Sequence, residues 1–142
     1  MIPLSKILVL VLYASAMQRS FAEMEPGRNI HITPVITVRI FNELVEDKAD
    51  VTIHCKSKDD DLGVHVVPFG KTYEFSFREN IWGSTLFFCG FNSKGRSVVF
   101  DVFESKRDYE RILKYSIWRV RKDGVHGFQE KPTKEDLIFK WK

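Results

Sequence analysis

The stretch His54-Cys55-Lys56-Ser57-Lys58-Asp59-Asp60-Asp61-Leu62-Gly63 decides the fold. Apolar and polar residues alternate up to Cys55, charge then switches from lysine to aspartate, and a glycine precedes a new apolar alternation at Val64. This reads as the end of a buried strand, a solvated hairpin tip and the start of the next strand. Just upstream, Val51, Ile53 and Cys55 share one face and Thr52, His54 and Lys56 the other, so the cysteine points into the core.

The same period of two recurs outward from this point. Ile36, Val38 and Ile40 alternate with Thr37 and Arg39 in a first strand, and residues 42–50 are polar enough to be a connection. Residues 64–67 form a short strand closed by the turn Pro68-Phe69-Gly70. Tyr73, Phe75 and Phe77 alternate with Glu74 and Ser76 as a half-buried strand. Residues 85–91 are apolar on both faces and therefore belong in the middle of a sheet or under a cover. After the hairpin-like 92–96, Val98, Phe100 and Val102 share a face. Residues 104–114 are charged and read as a loop or one helical turn. Ile117-Trp118-Arg119-Val120 resumes the alternation, Asp123-Gly124 is a tight-turn pair, and residues 126–129 return as a strand. Leu137, Phe139 and Trp141 then mark a last strand, whose lysines suit an edge that resists pairing with other chains. About eight short strands without a long helix predict an all-β, small antiparallel β-sandwich in which two half-apolar sheets cover each other.

Residues 1–22 are read apart from this pattern. Lys6, the apolar run from Ile7 to Tyr13, and the small residues Ser20 and Ala22 form the charge, core and cleavage pattern of a signal peptide. Cleavage after Ala22 leaves the domain at residues 23–142, opening on an irregular lead-in. The apolar run is shorter than the roughly 20 residues of a membrane helix, so no stable membrane insertion is expected. The segment carries Lys6 and Arg19 and no acid, so the formal charge of +3 for the whole chain falls by two to +1. A nearly neutral domain has no electrostatic basis for general nucleic-acid binding.

Two cysteines in an exported chain most simply pair with each other; free thiols or a bridge to another chain are the alternatives. A Cys55–Cys89 bridge would close a loop of about 35 residues, stabilising by roughly 3–4 kcal/mol. Whether it would join two sheets or two neighbouring strands is open at this level.

Candidate chemistry is sparse. His54 and His65 flank the acidic tip, and a histidine pair beside a lysine is compatible with acid–base cleavage of RNA. No surrounding nuclease signature accompanies them, and outward-facing surface histidines are the reading adopted. Asp59, Asp60 and Asp61 alternate in direction and lack the ligand spacing of a calcium loop. No zinc spacing, phosphate loop or nucleophile elbow occurs, so no catalytic residue, metal or cofactor is assigned. Trp82 and Trp118 could stack on sugars, with core packing as the preferred reading of both.

The opening stretch and Trp82-Gly83-Ser84-Thr85-Leu86-Phe87-Phe88-Cys89 closely resemble the hallmark segments of the plant self-incompatibility protein S1 family, or S-protein homologues. Phe100-Asp101-Val102-Phe103, Arg107-Asp108, Ile117-Trp118-Arg119-Val120 and Asp123-Gly124-Val125-His126-Gly127-Phe128 extend the resemblance over about residues 35–141. It implies a small secreted plant β-sandwich acting by protein recognition rather than catalysis. Its implied partner is an unidentified plasma-membrane receptor, on pollen for the founding stigma proteins. Many members carry two further cysteines, where this chain has Ile112 and Ser116. Their joint absence makes the Cys55–Cys89 pairing more plausible and implies a less restrained segment at 104–116.

Specificity usually resides in loops, which vary without disturbing a core. The receptor-binding candidates are therefore Glu43, Glu46, Asp47 and Lys48; Lys56, Lys58, Asp59, Asp60 and Asp61; Asn92, Lys94 and Arg96; and Lys122 and Asp123.

Overall fold

The computed structural model describes residues 33–142, with Pro3 alone before them. The expected signal peptide and most of the lead-in lie outside the described residues. Nine strands follow: β1 (Val35–Asn42), β2 (Val51–Lys56), β3 (Asp61–Val67), β4 (Thr72–Arg78), β5 (Leu86–Ser93), β6 (Arg96–Glu104), β7 (Tyr115–Arg121), β8 (Gly124–Glu130) and β9 (Thr133–Lys140), with one helical turn, α1 (Ser105–Asp108), after β6. They form a five-stranded sheet in the order β4-β1-β7-β8-β9 and a four-stranded sheet in the order β3-β2-β5-β6. Every neighbouring pair is antiparallel except β1 with β7. The all-β class is as expected; the count is nine among the described residues rather than eight.

The alternation explains which faces meet. Ile36, Val38 and Ile40 from β1, Val51, Ile53 and Cys55 from β2, and Val98, Phe100 and Val102 from β6 are all buried in one core. Aromatic rings join the sheets across it. Phe100 of β6 stacks on Phe139 of β9 at 4.0 Å and on Phe91 of β5 at 5.1 Å, and Trp118 of β7 tilts against Phe100 at 4.8 Å. The Trp118 indole N–H reaches Ser116 Oγ at 2.8 Å and the Val102 carbonyl at 3.1 Å, so its polar atom is satisfied inside the core. Gly127 makes room for this ring: a Cβ there would lie 2.6 Å from it.

Cys55 and Cys89 form the disulfide. They are directly opposed on β2 and β5, so the bridge ties neighbouring strands of one sheet and does not join the two sheets. As the apolar pattern of 85–91 implied, β5 is an interior strand.

Three expectations need correction in position. The third strand begins at Asp61, three residues before Val64, so Asp61 to Gly63 belong to a strand rather than to the hairpin tip. The β7–β8 turn is Lys122-Asp123, since Arg121 already pairs with Gly124. Gly124 has φ +151°, and a Cβ there would lie 2.3 Å from the Phe139 carbonyl oxygen, so β9 can approach only a glycine. Trp82 lies outside the core, with 82% of its surface exposed against 1% for Trp118. It stands in the β4–β5 connection, where no facing sheet covers it.

The 104–116 segment is held without a second bridge. Asp108, 1% exposed, accepts hydrogen bonds from the Glu104 N–H at 2.8 Å and from the guanidinium groups of Arg107 and Arg111. Arg111 also pairs with Asp136 at the foot of β9. Ile112 is buried, and the Ser116 hydroxyl donates to the Val102 carbonyl at 2.7 Å.

Candidate functional site

The chain direction of β5 sorts the candidate loops. Its C-terminal end, at Ser93, faces the 42–50 connection through a hydrogen bond from the Ser93 hydroxyl to the Asp50 carbonyl at 2.8 Å. Its N-terminal end, at Leu86, lines a groove with residues 57–60. The two ends therefore lie a strand's length apart. Loops 42–48, 92–96 and 122–124 gather at the first end, and loop 56–61 stands alone at the other.

Asn42, at the end of β1, organises the first end. Its buried amide donates to the carbonyls of Ala49 at 2.8 Å and Val67 at 2.9 Å, while its oxygen accepts the Leu44 N–H at 3.0 Å. One side chain thus fastens β1, the 42–50 loop and the end of β3. Leu44 is fully buried, so the loop is plugged into the core as well as hydrogen-bonded to it. Asp47 caps the loop by accepting the Ala49 N–H, and Lys94 reaches Asp47 at 3.3 Å. Arg96 closes the remaining gap by donating to the Lys122 carbonyl at 2.9 Å while lying over the Trp141 ring.

Beside these loops runs a charged lattice. Arg119 and Arg121 alternate on the outer face of β7, and both donate to the Glu43 carboxylate. Burial works against ionisation of Glu43, but hydrogen bonds from the two arginines outweigh it and hold its pKa below the ordinary value. His126 lies between two acids: one ring nitrogen meets Glu135 and the other lies 2.6 Å from Asp123. The hydrogen bond with His126 is the main cause of a lowered pKa at Asp123. Glu43, Arg121, Asp123 and His126 line an open groove of about 910 Å³, with Val45 and Phe69 as its apolar lining. A second, smaller groove of about 240 Å³ runs between Asp47, Lys94, Arg96 and Lys122. The more exposed pair of Lys94 with Asp47 contributes roughly 0–1 kcal/mol, so a partner can exchange it at small cost, whereas the pairs of Glu43 and His126 are partly buried.

At the opposite end, Asp61 accepts the Gly63 N–H at 2.9 Å and lies 2.6 Å from His54 Nε2, with Lys56 at 3.8 Å. The Gly63 hydrogen bond, followed by that with His54, holds Asp61 below its ordinary pKa. Asp59 and Asp60 remain exposed beside Lys58. His54 and His65 do not form a pair. His54 is opposite Val64 on the outer face, whereas His65 is opposite Ile53 on the inner one, stacked on Tyr73 at 4.3 Å. The two rings face opposite sides of the sheet, so the paired-histidine arrangement is not formed.

The chain matches the family described as plant self-incompatibility protein S1 over residues 37–141. It belongs to that family. Among its relatives in Arabidopsis thaliana, S-protein homolog 24 is 35% identical over 138 residues, covering 96% of this chain and 86% of the relative. S-protein homolog 5 is 49% identical over 92 residues, covering 65% and 68% respectively. A solved structure from the SPH (Self-Incompatibility Protein Homologue) proteins, described as small, highly stable, secreted proteins from plants, has the same fold. It superposes with a TM-score of 0.56 at 18% identity, over 78% of this chain and 96% of that one.

Within this S1-family chain, five contributors stand outside the candidate residues read from the sequence: Asn42, Arg119, Arg121, His126 and Glu135. Arg119 and Arg121 stand two apart in a strand, the spacing that places both on one face, and that signal was legible. Glu135 reaches the cluster only because β9 pairs with β8, which no local pattern reports.

Proposed function

We propose that the protein is a secreted extracellular ligand, exported by cleavage after Ala22 and recognised by a cell-surface receptor. The observation that carries this reading is the convergence of three loops on one end of the sandwich. There Glu46, Lys48 and Lys122 are exposed on backbone that Asn42, Leu44 and Arg96 hold in place. A backbone ordered before binding loses little freedom in the complex, which suits presentation of these charges to a complementary protein surface. Family membership supports the same reading.

The test is retention of plant plasma-membrane proteins by the purified protein after crosslinking. Charge reversal at the converged end, Glu46→Lys with Lys122→Glu, should abolish specific retention, whereas Asp59→Asn with Asp60→Asn should leave it intact. Loss of retention only with the second pair would place recognition at the other end and overturn the assignment. Amino-terminal sequencing of secreted protein should begin at Glu23; an intact Met1 terminus would refute export by cleavage.

A further inference from the structure

The end of the sandwich away from the charged lattice holds a groove of about 420 Å³, within the roughly 300–1,000 Å³ that ligand sites occupy. Trp82 stands on its rim, 82% exposed. This exposure is built into the loop. Asn80 accepts the Ser84 N–H at 3.0 Å and donates to the Ser84 hydroxyl at 3.0 Å. The Thr85 hydroxyl accepts the Asn80 N–H at 2.8 Å, and Gly83 donates to the Asn80 carbonyl at 3.2 Å. Four hydrogen bonds across six residues thus fix the backbone that carries the indole. A tryptophan offers a large apolar area for burial, and here that area is held in water.

We propose that this groove binds a neutral polysaccharide chain, with Trp82 as the stacking platform. The lining supplies the two kinds of surface a sugar presents. Phe77 and Leu86 provide an apolar floor, while Asp59, Asp60, Lys58 and Arg78 provide hydrogen-bond acceptors and donors for hydroxyl groups. The two carboxylates and two cations give the lining no net charge with which to favour an acidic polymer or a basic peptide. An amphipathic ligand without charge fits this lining: its C–H face lies on the indole and its hydroxyls meet the rim. The disulfide anchors both walls, since Cys55 leads directly into the 57–60 turn and Cys89 follows Leu86 by three residues. The groove opens to solvent, so it admits the interior of a chain as well as its end. The site would let the protein be retained by an extracellular polysaccharide matrix while its charged end stays free, and it does not depend on the receptor reading.

The experiment uses protein purified from expression of the full chain. Cellohexaose, mannohexaose and xylohexaose serve as neutral probes, hexagalacturonate and hexalysine as charged ones, and a high-mannose N-glycan as the glycoprotein source. Trp118 is buried and Trp141 packs against Arg96 at the opposite end, so a ligand-induced blue shift of tryptophan emission reports chiefly on Trp82. At least one neutral hexasaccharide should give a saturable blue shift and bind at least tenfold more tightly than either charged probe. Trp82→Ala should abolish the shift and weaken binding at least tenfold by calorimetry, Trp82→Phe should restore part of it, and Asp59→Asn with Asp60→Asn should weaken it several-fold. Glu46→Gln, at the other end, should change nothing. Because Trp82 is outside the core, its alanine variant should melt with the parent, which separates lost binding from lost folding. The proposal is overturned if no neutral hexasaccharide binds at millimolar concentration, if Trp82→Ala binds like the parent, or if a charged probe binds best. Tighter binding of the N-glycan than of every hexasaccharide would overturn the matrix assignment and indicate a glycoprotein instead.

Discussion

Replacing Asn42 by alanine should loosen one end of the molecule more than its small volume change implies. The side chain makes three hydrogen bonds, to Ala49, Val67 and Leu44, and is 2% exposed. Each contributes about 1 kcal/mol net, for a combined loss of about 3 kcal/mol. The loss would rise towards about 5 kcal/mol if the two carbonyls and the N–H stay dry, because a stranded buried polar group costs about 1–3 kcal/mol. Water entering from the adjacent groove would keep it near the lower figure. Against a total stability of about 5–15 kcal/mol this is a large fraction, and a drop in melting temperature of roughly 10 °C is expected for a domain of this size. Urea titration measures the free energy, while amide hydrogen exchange locates it. Exchange should accelerate at Leu44 and at Ala49 well before the β2–β5 ladder, where the disulfide sits. A free-energy change below about 1 kcal/mol, or acceleration spread evenly over both sheets, would refute the view that Asn42 fastens this end.

Other perturbations probe separate parts of the structure. Gly127→Ala drives a methyl to 2.6 Å from the Trp118 ring and should cost about 1–3 kcal/mol, with loss of near-ultraviolet dichroism as the indole shifts; an unchanged spectrum and melting point would contradict the packing. Glu43 is held below its ordinary pKa of 4.5 in the folded state. Its contribution is therefore complete above that pH and disappears as pH falls through the lowered folded value. Glu43→Gln should flatten acid unfolding below pH 4.5 by at most about 1 kcal/mol, and an effect confined to neutral pH would reverse the assigned sign. Asp108→Ala leaves Arg107 and Arg111 facing an empty buried site and should cost about 3–5 kcal/mol in urea titrations; a loss under 1 kcal/mol would show the network to be ornamental.

The period of two made the strands legible wherever one face meets the core. Val51-Thr52-Ile53-His54-Cys55 alternates and is buried at every second position, and Val98, Phe100 and Val102 behave alike. Strand order was not legible, because β1 pairs in parallel with β7 across almost 80 residues of intervening chain. That crossover, rather than any local motif, brings Glu43 to Arg119 and Arg121. Trp82 and Trp118 show where residue type alone misleads. Trp118 lies inside an alternating run and is buried, whereas Trp82 precedes a glycine in a turn and has no strand to carry it inward. The common apolar character of the two residues concealed that difference, although the local alternation distinguished them.

The resemblance read from the sequence implies a second cysteine pair in many family members, at the positions of Ile112 and Ser116 here. A bridge between positions 112 and 116 would close a loop of about five residues, for which the chain-entropy estimate is about 2 kcal/mol. Ile112, buried here, recovers roughly 1.5–3 kcal/mol by placing its side chain in the core. Ser116 is small enough to stay beneath Val102 and supplies the oxygen that the Trp118 N–H needs. Ile112 and Ser116 therefore have interactions of their own at the sites they occupy. The segment's position is set mainly by Asp108, which gathers the Glu104 N–H and two guanidinium groups into one buried site, and by Arg111, which carries the connection on to Asp136. Charge paired in a buried site holds geometry more firmly than exposed ion pairs do, because each donor lost leaves a desolvated carboxylate behind. On these grounds the segment owes its placement to the arginine–aspartate network, which holds it against the core without a covalent tie of its own.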